Sequence, residues 1–476
     1  MNSVTEIQQN SKKSFVLPQF GLWHKKLLLA FVDLCILTFS LFYYQKFASE
    51  NLSFYNFLEV NSLSLLFGIG VFWILTIIFN FYDLDYVNKT RKVLPLSFFI
   101  GIIFSLTYFI ATSISSTLII DNKNLLFFTL GFTLMLMIWR VSYASVIHSD
   151  VFAKNCILLT SEATDKILIK SIIKSIEGIE FEYGLKILRT YTVSKEKKQI
   201  DRLSRAIERM SSKKLIDTII IMDKDQGTIS NSLNTTLVKA IGNGLQVETY
   251  FKLYEGLKEA IPVQLSENQL YTILPISKYN HNYIYRLWHK LVDIVSSVMG
   301  LSAMLILTPI ILLTNLFLNK GPLFYRQYRV GKGGKEIEII KFRSMIVRAE
   351  EHGAKMSIKG DQRVTSFGKV LRKMRIDELP QFWSVLKGEM SLIGPRPERK
   401  IFIDELVKNI PLYDSRHLIK PGITGWAQVK YEYGENIEDS YKKLEYDLYY
   451  IKNRSVTLDI RIIFKTINTI LFYKGL

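Results

Sequence analysis

Cysteine is nearly missing from this 476-residue chain: Cys35, in an apolar run, and Cys156, in a strand-like stretch, are the only two. A disulfide framework is excluded, and a reducing compartment is the default. Acidic side chains are scarce against basic ones, 43 Asp and Glu to 61 Lys and Arg, leaving a formal net charge of +18. That surplus suits an anionic partner: nucleic acid, membrane surface or polyphosphate. Histidine numbers six, and His352 and His417 stand apart as surface or packing residues, so no constellation fit for general-base work is visible. Two glycine signatures are missing as well. Cys156–Thr160 runs into Ser161-Glu162-Ala163-Thr164 without the turn a dinucleotide site needs, and Gly331-Lys332-Gly333-Gly334 lacks the Gly-Lys-Ser/Thr of a Walker loop. No small-residue cleavage site or short single apolar core marks a removed leader.

What is present is apolar and concentrated. The mean hydropathy is positive, +0.16, despite the charge. Four runs, about Leu27–Tyr44, Leu63–Phe81, Val93–Thr112 and Leu125–Ile147, are each near the ~20 residues a helix needs to cross a bilayer. Lys12, Lys13, Lys25 and Lys26 precede the first, Lys89, Arg91 and Lys92 separate the second and third, and Lys154 follows the fourth. The other two loops hold only Lys46 and Lys123 beside Glu50, Glu59 and Asp121, so the positive-inside bias puts the amino terminus and everything after Ile147 in the cytoplasm. Asp33 and Arg140 lie near run ends, where snorkelling or mutual pairing accounts for them. The apolar runs favour a membrane over nucleic acid, for which no recognition motif is found.

From Val151 to Ser277 the strand-like runs Cys156–Thr160, Leu215–Met222 and Leu245–Thr249 alternate with helical ones, as in a small α/β domain. The apolar stretch Leu291–Leu318 follows, broken by Pro309. A fifth span would put the last third of the chain outside the cell, so a re-entrant helical hairpin, turned at Pro309, is the preferred reading.

The basic last third begins with a hairpin, Leu323–Val330 and Lys335–Phe342, carrying Lys332 at its tip and Lys341 and Arg343 at its end. Basic residues then lead into two adjacent carboxylates in Leu371-Arg372-Lys373-Met374-Arg375-Ile376-Asp377-Glu378. One reading is a helix cap with its first-turn charge. The other is a carboxylate nucleophile, Asp377, kept ionised by a helix terminus and arginines, beside a magnesium ligand, Glu378. In Ser391–Glu398, Pro395 and Pro397 clamp Arg396 in an extended backbone suited to a phosphate or a base. Pro421–Val429 ends in Trp426, interfacial or core. The tyrosine-rich stretch Tyr431–Tyr450 suits anionic headgroups or a solvated amphipathic helix.

The segments KFRSM (341–345), DELPQFWSVLKGEMSLIGPRPE (377–398) and PGITGWAQV (421–429) resemble those of the bacterial sugar transferases, the monotopic polyprenyl-phosphate phosphoglycosyl transferases, over about Tyr285–Leu476. Four preceding spans and an α/β domain resemble the long forms that prime exopolysaccharide, capsule or O-antigen synthesis. The resemblance implies an α-helical four-span membrane bundle (1–150) and an α/β, Rossmann-like cytoplasmic domain (151–278). It further implies a re-entrant membrane hairpin (279–320) and an α+β catalytic domain (321–476). It also implies a hexose-1-phosphate passed from a UDP-sugar to undecaprenyl phosphate with release of UMP, through an aspartyl-phosphosugar. The implied catalytic residues are Asp377, Glu378 and Arg372, and the substrate-binding ones are Pro395, Arg396, Pro397, Lys332, Lys341 and Arg343. Mg2+ would be held by Glu378 and Asp459, with Asp447 the weaker match, and Pro309 would be the re-entrant break. An anionic inner-membrane bilayer is the implied setting, with a homo-oligomeric state left open. A silent assembly scaffold and an ordinary UDP-releasing glycosyltransferase are the competing functions.

Overall fold

A computed structural model describes residues 22–48, 54–55, 62–79, 81–82, 87, 90–114, 122–147, 154–161, 185–193, 196–222, 228–263, 282–349, 351, 353, 361–431 and 436–471. Lys12, Lys13, Lys89, the turn 162–164, His352 and the expected domain boundaries near 150 and 278 fall outside them. The chain forms two compact units, Met1–Thr249 and Tyr250–Leu476.

The first unit opens with helices α1 (Leu22–Ala48), α2 (Ser62–Ile78), α3 (Thr90–Ile114) and α4 (Asn122–Ile147), one for each apolar run. Three of them are long and apolar enough to cross a membrane, and α2 is a shorter apolar helix of 17 residues. Aromatic side chains, including Phe72, Phe104, Tyr108 and Phe132, fill the space between helices. Phe31, Leu66, Ile110, Phe127 and Leu134 stay exposed on the outside. An apolar exterior over an apolar interior is what a bilayer-embedded bundle requires. This is a multi-pass membrane protein. Asp33 and Arg140 pair with each other, fully buried, and the Arg140 guanidinium stacks 3.9 Å from the Phe81 ring centroid.

Next comes a parallel sheet in the order β2-β1-β3-β4, built from β1 (Lys154–Ser161), β2 (Leu185–Val193), β3 (Thr218–Met222) and β4 (Gln246–Thr249). Its helices are α5 (Lys197–Ser212) and α6 (Thr228–Gly242). The inner strands β1 and β3 read as unbroken apolar runs because both their faces are covered. Strand β2, absent from the sequence reading, is an edge strand whose mixed sequence LKILRTYTV carries no such run.

The second unit begins at Tyr250. Helix α7 (Tyr250–Lys258) and the residues after it belong to this unit's core, where Ile261 and Val263 are buried beside Trp426, Leu444 and Leu448. Glu259, held at φ 53, accepts ion pairs from Lys430 (3.0 Å) and Arg461 (2.8 Å). Trp426 is therefore core: it is fully buried, and its indole N–H donates to the Glu259 carbonyl at 2.9 Å. Helix α8 (Tyr283–Leu318) runs 36 residues, about 54 Å at 1.5 Å per residue. Instead of a hairpin with a loop at Pro309, it is a single helix that continues through the proline. Any change of direction there is a bend within one element. The Thr308 hydroxyl donates to the Met304 carbonyl (2.6 Å), one residue before the carbonyl that Pro309 leaves without its usual partner.

Helix α8 touches its own unit from end to end. Asp293 meets Ser391, Gly300 lies under Phe382, Ile311 joins Phe342 and Leu371, and Asn319 bonds Arg343. Its other side exposes Leu305, Ile306, Ile310, Leu313 and Phe317. Beyond α8 lie the hairpin β5 (Phe324–Val330) and β6 (Glu336–Phe342), helix α9 (Ser366–Lys373), a 3-10 turn (Ile376–Gln381) and the short helix α10 (Phe382–Leu386). Strands β7 (Ser391–Ile393) and β8 (Gly422–Thr424) pair in parallel, with α11 (Lys400–Asn409) between them in sequence. Helices α12 (Trp426–Lys430), α13 (Ile437–Asn453) and α14 (Val456–Leu471) close the unit. The tyrosine-rich stretch is mostly α13, whose Leu444, Leu448, Tyr450 and Ile451 are buried in the core.

Candidate active site

The chain is turned into the site at Arg375. Helix α9 ends at Lys373 with Met374 as its C-cap, and Arg375 takes a left-handed conformation (φ 58), which stops the helix and redirects the next turn. Asp377 and Glu378 follow, both buried, within a 3-10 turn rather than at the start of an α-helix. The short α10 then carries the chain away. The capping reading fails accordingly, because neither carboxylate heads an α-helix.

Three cations from three elements converge on Glu378. Lys341, near the end of β6, approaches its Oε1 at 3.0 Å, and Arg396, just beyond β7, donates to the same oxygen at 2.6 Å. Arg375 stands 3.9 Å from Oε2. Burial alone would raise the Glu378 carboxyl, but Arg396, Lys341 and Arg375 outweigh it and hold it well below the usual range. Asp377 responds the other way. Burial first, then the neighbouring Glu378 charge, push it up to about 6, against the pull of Lys341, Arg372 and Arg375. Its Oδ1 is buried without a hydrogen-bond partner. One carboxylate is thus fixed as a charge, while its neighbour is poised near neutral pH and incompletely bonded.

Arg396 is held by its backbone. Strands β7 and β8 cross at contact distance because Gly394, Gly422 and Gly425 have no Cβ: one added at Gly422 would lie 2.1 Å from the Gly394 nitrogen. The Pro395 carbonyl accepts from the Gly422 amide (2.9 Å), and the Pro397 carbonyl accepts from Arg329 (2.6 Å). Behind the loop, Arg416 is clamped by Glu398 (2.9 Å) and Asp447 (2.8 Å) and donates to the Arg396 carbonyl at 3.3 Å. Arg416 and Arg329 lie outside every motif and were not anticipated. Only the fold brings them behind the Pro-Arg-Pro loop.

Asp377, Glu378, Lys341 and Arg396 are thus brought together. Arg372 donates to the Ser344 hydroxyl at 2.9 Å and adds its field at Asp377. Lys332 is exposed at the hairpin tip. Arg343 is held within the fold, away from the contacts around Glu378. It is buried and committed to the Pro322 carbonyl (2.6 Å), the Asn319 amide oxygen (3.0 Å), the Met345 carbonyl (3.1 Å) and Asn315 (3.4 Å). Asp459 is likewise not gathered with the acid pair: it accepts from the Tyr450 hydroxyl (2.9 Å). Among the described residues no three His, Cys, Asp or Glu are grouped to hold a metal, and Asp447 is taken by Arg416. A hard cation that keeps its waters needs less: one or two carboxylates plus substrate phosphate oxygens. The unpartnered Oδ1 of Asp377 beside the charged Glu378 fits that donor set.

The bacterial sugar transferase profile matches residues 284–473, which contain all of these groups. The UDP-N-acetylgalactosamine-undecaprenyl-phosphate N-acetylgalactosaminephosphotransferase of Aeromonas hydrophila is 48% identical over 210 residues, covering 44% of this chain and 48% of that one. The UDP-glucose:undecaprenyl-phosphate glucose-1-phosphate transferase of Escherichia coli (strain K12) is 44% identical over 149 residues, 31% of this chain and 32% of its own. The exopolysaccharide production protein PSS of Rhizobium leguminosarum bv. phaseoli is 38% identical over 187 residues, 37% of this chain and 90% of that relative. The chain belongs to the bacterial sugar transferase family. Its match spans under half the length of the Aeromonas relative. In this sugar transferase the family match starts at α8, so α7 and Val263 join the catalytic core from outside it.

Proposed function

We propose that this sugar transferase moves a sugar 1-phosphate from a UDP-sugar to polyprenyl phosphate and releases UMP, the priming step of a surface polysaccharide. The observation that carries the reading is the unequal acid pair. Glu378 is locked as an anion among three cations, while Asp377 keeps a free, buried oxygen at a pKa of about 6. Lys341, Arg372, Arg375 and Arg396 supply the charge that a pyrophosphate needs, and phosphoryl chemistry asks mainly for such positioning and charge. The Asp377 carboxylate attacks the phosphorus next to the sugar. The bond from that phosphorus to the bridging oxygen breaks, and UMP leaves with the electron pair. A phosphate oxygen of the polyprenyl acceptor then attacks the same phosphorus and expels Asp377 as carboxylate. Glu378 and Asp377 would hold a magnesium ion with the substrate phosphates, where it would neutralise charge on the pyrophosphate.

The setting follows from α8. A straight crossing would carry part of the helix about 30 Å away from the domain it serves, yet its contacts run from Asp293 to Asn319 within one unit. That supports insertion into one leaflet only, exposed apolar side down. The charge flanking α1 to α4 supports the cytoplasmic face of a bacterial inner membrane with anionic headgroups. The parallel β2-β1-β3-β4 order supports a doubly wound α/β reading of the middle sheet, in the 2-1-3-4 order of flavodoxin-like sheets and not the 3-2-1-4 order of the Rossmann fold.

The test is nucleotide release without acceptor. Wild-type protein incubated with a UDP-sugar should form UMP up to one equivalent per active site, and Asp377→Asn should form none while remaining folded in detergent. UDP as product would indicate ordinary glycosyl transfer, no nucleotide a scaffold, and normal turnover by the variant a different nucleophile.

A further inference from the structure

The membrane helix α8 holds more than the lipid side of the enzyme. Asp293, two turns short of Gly300 on its inward side, accepts two hydrogen bonds through one oxygen: from the Ser391 hydroxyl and from the Leu392 amide, each at 2.8 Å. Ser391 is fully buried, and His289, one turn earlier on α8, stands 3.5 Å from the same hydroxyl and 3.8 Å from the second Asp293 oxygen. Ser391 and Leu392 are the first residues of β7, and four residues beyond Leu392 lies Arg396, donating to Glu378 at 2.6 Å. The path is short and stiff. β7 is pinned to β8 by the Gly394 amide bonding the Thr424 carbonyl (2.9 Å), and two prolines flank Arg396.

The same helix reaches the other arm of the site. Gly300 lies so close to Phe382 that an added Cβ would be 2.2 Å from the ring, and Phe382 is four residues after Glu378. One rigid element therefore fixes both strands of chain that meet in the Arg396–Glu378 contact.

We propose that Asp293 is a positioning residue for the reaction: its carboxylate ties α8 to β7 and so sets where Arg396 stands against Glu378 and the donor pyrophosphate. This rests on the proposed sugar-phosphate transfer for its kinetic consequence, though not for its structural one. A charged acceptor for a half-buried backbone amide is the stronger kind of hydrogen bond, and losing it leaves that amide without its protein partner. A displacement of about an ångström at a phosphate-clamping arginine is felt in the chemistry.

The experiment compares Asp293→Ala, Asp293→Asn and both in an Arg396→Ala background, using the full-length protein in detergent. Hydrogen exchange reports the anchor without reference to activity: Asp293→Ala should lose amide protection in the peptide covering 391–398, and Asp293→Asn, whose amide oxygen still accepts, should keep most of it. UMP formation with polyprenyl phosphate present reports the consequence: Asp293→Ala should raise KM for the UDP-sugar and lower kcat/KM on the order of tenfold. The burst amplitude per folded protein should hold, and Asp293→Asn should restore most of the loss. In the Arg396→Ala background, Asp293→Ala should cost almost nothing more. Unchanged protection at 391–398, or an equal penalty in both backgrounds, would overturn the proposal. Lost protection in Asp293→Ala, together with a wild type that makes no UMP, would uphold the anchor and remove the reaction assigned to the site.

Discussion

The Asp377 carboxyl makes the sharpest claim about pH. Its pKa of about 6 stands above the usual aspartate value of 3.8 because burial and the Glu378 charge outweigh Lys341, Arg372 and Arg375. Only the ionised form can attack phosphorus. A group at about 6 is roughly nine-tenths ionised at pH 7 and roughly a tenth at pH 5, so the first step should slow about tenfold across that interval. An ordinary aspartate would change by less than about a tenth over the same range. The assay is single-turnover UMP release at subsaturating UDP-sugar between pH 5 and 8, which reports the free protein, each point preceded by a check that the protein remains folded. The rate should climb with unit slope below pH 6 and level off above pH 7. Replacing Arg372 by Gln removes a charge that holds Asp377 down, so the inflection should move to higher pH. A flat profile from pH 5 to 7, or an Arg372→Gln inflection displaced downward, would refute the assignment of Asp377 as a buried nucleophile.

Two further predictions concern stability. Arg343→Met should weaken the fold by about 2–4 kcal/mol, since Pro322, Asn319, Met345 and Asn315 all lose a buried donor. Thermal melting in detergent measures the loss, and an unchanged KM for the UDP-sugar in the folded fraction separates this role from phosphate binding. Glu259 is held at about 2, where burial works against it and Lys430 and Arg461 more than compensate. Against the usual glutamate value of 4.5 that is about 3 kcal/mol. Because the folded value is the lower one, the stabilisation is fully present above about pH 4.5 and is lost as pH falls toward 2. Glu259→Gln should therefore lower stability at pH 7 and approach wild type near pH 3, measured by denaturant melts at both.

Along the chain alone, much was settled. The four apolar runs became four helices, since a run of about 20 apolar residues with charged flanks has few other places to go. Asp377 and Glu378 were marked by adjacency, and Arg396 by its two prolines. These are local signals, complete within a dozen residues. What the tertiary structure alone decided is the division of labour among like charges. Arg343 and Arg396 read alike in sequence, yet one is spent on neutral acceptors of the fold and the other points at Glu378. Asp459 and Asp447 are drawn to a tyrosine and an arginine instead of to the acid pair. Asp377 sits at about 6 because of water excluded by distant segments, and Tyr250–Val263 joins the catalytic core through contacts nearly two hundred residues away, such as Tyr254 to Glu445. A charged side chain takes its role from whatever stands within about 3 Å and from how much solvent remains. Both are fixed by long-range packing that no local run of residues encodes.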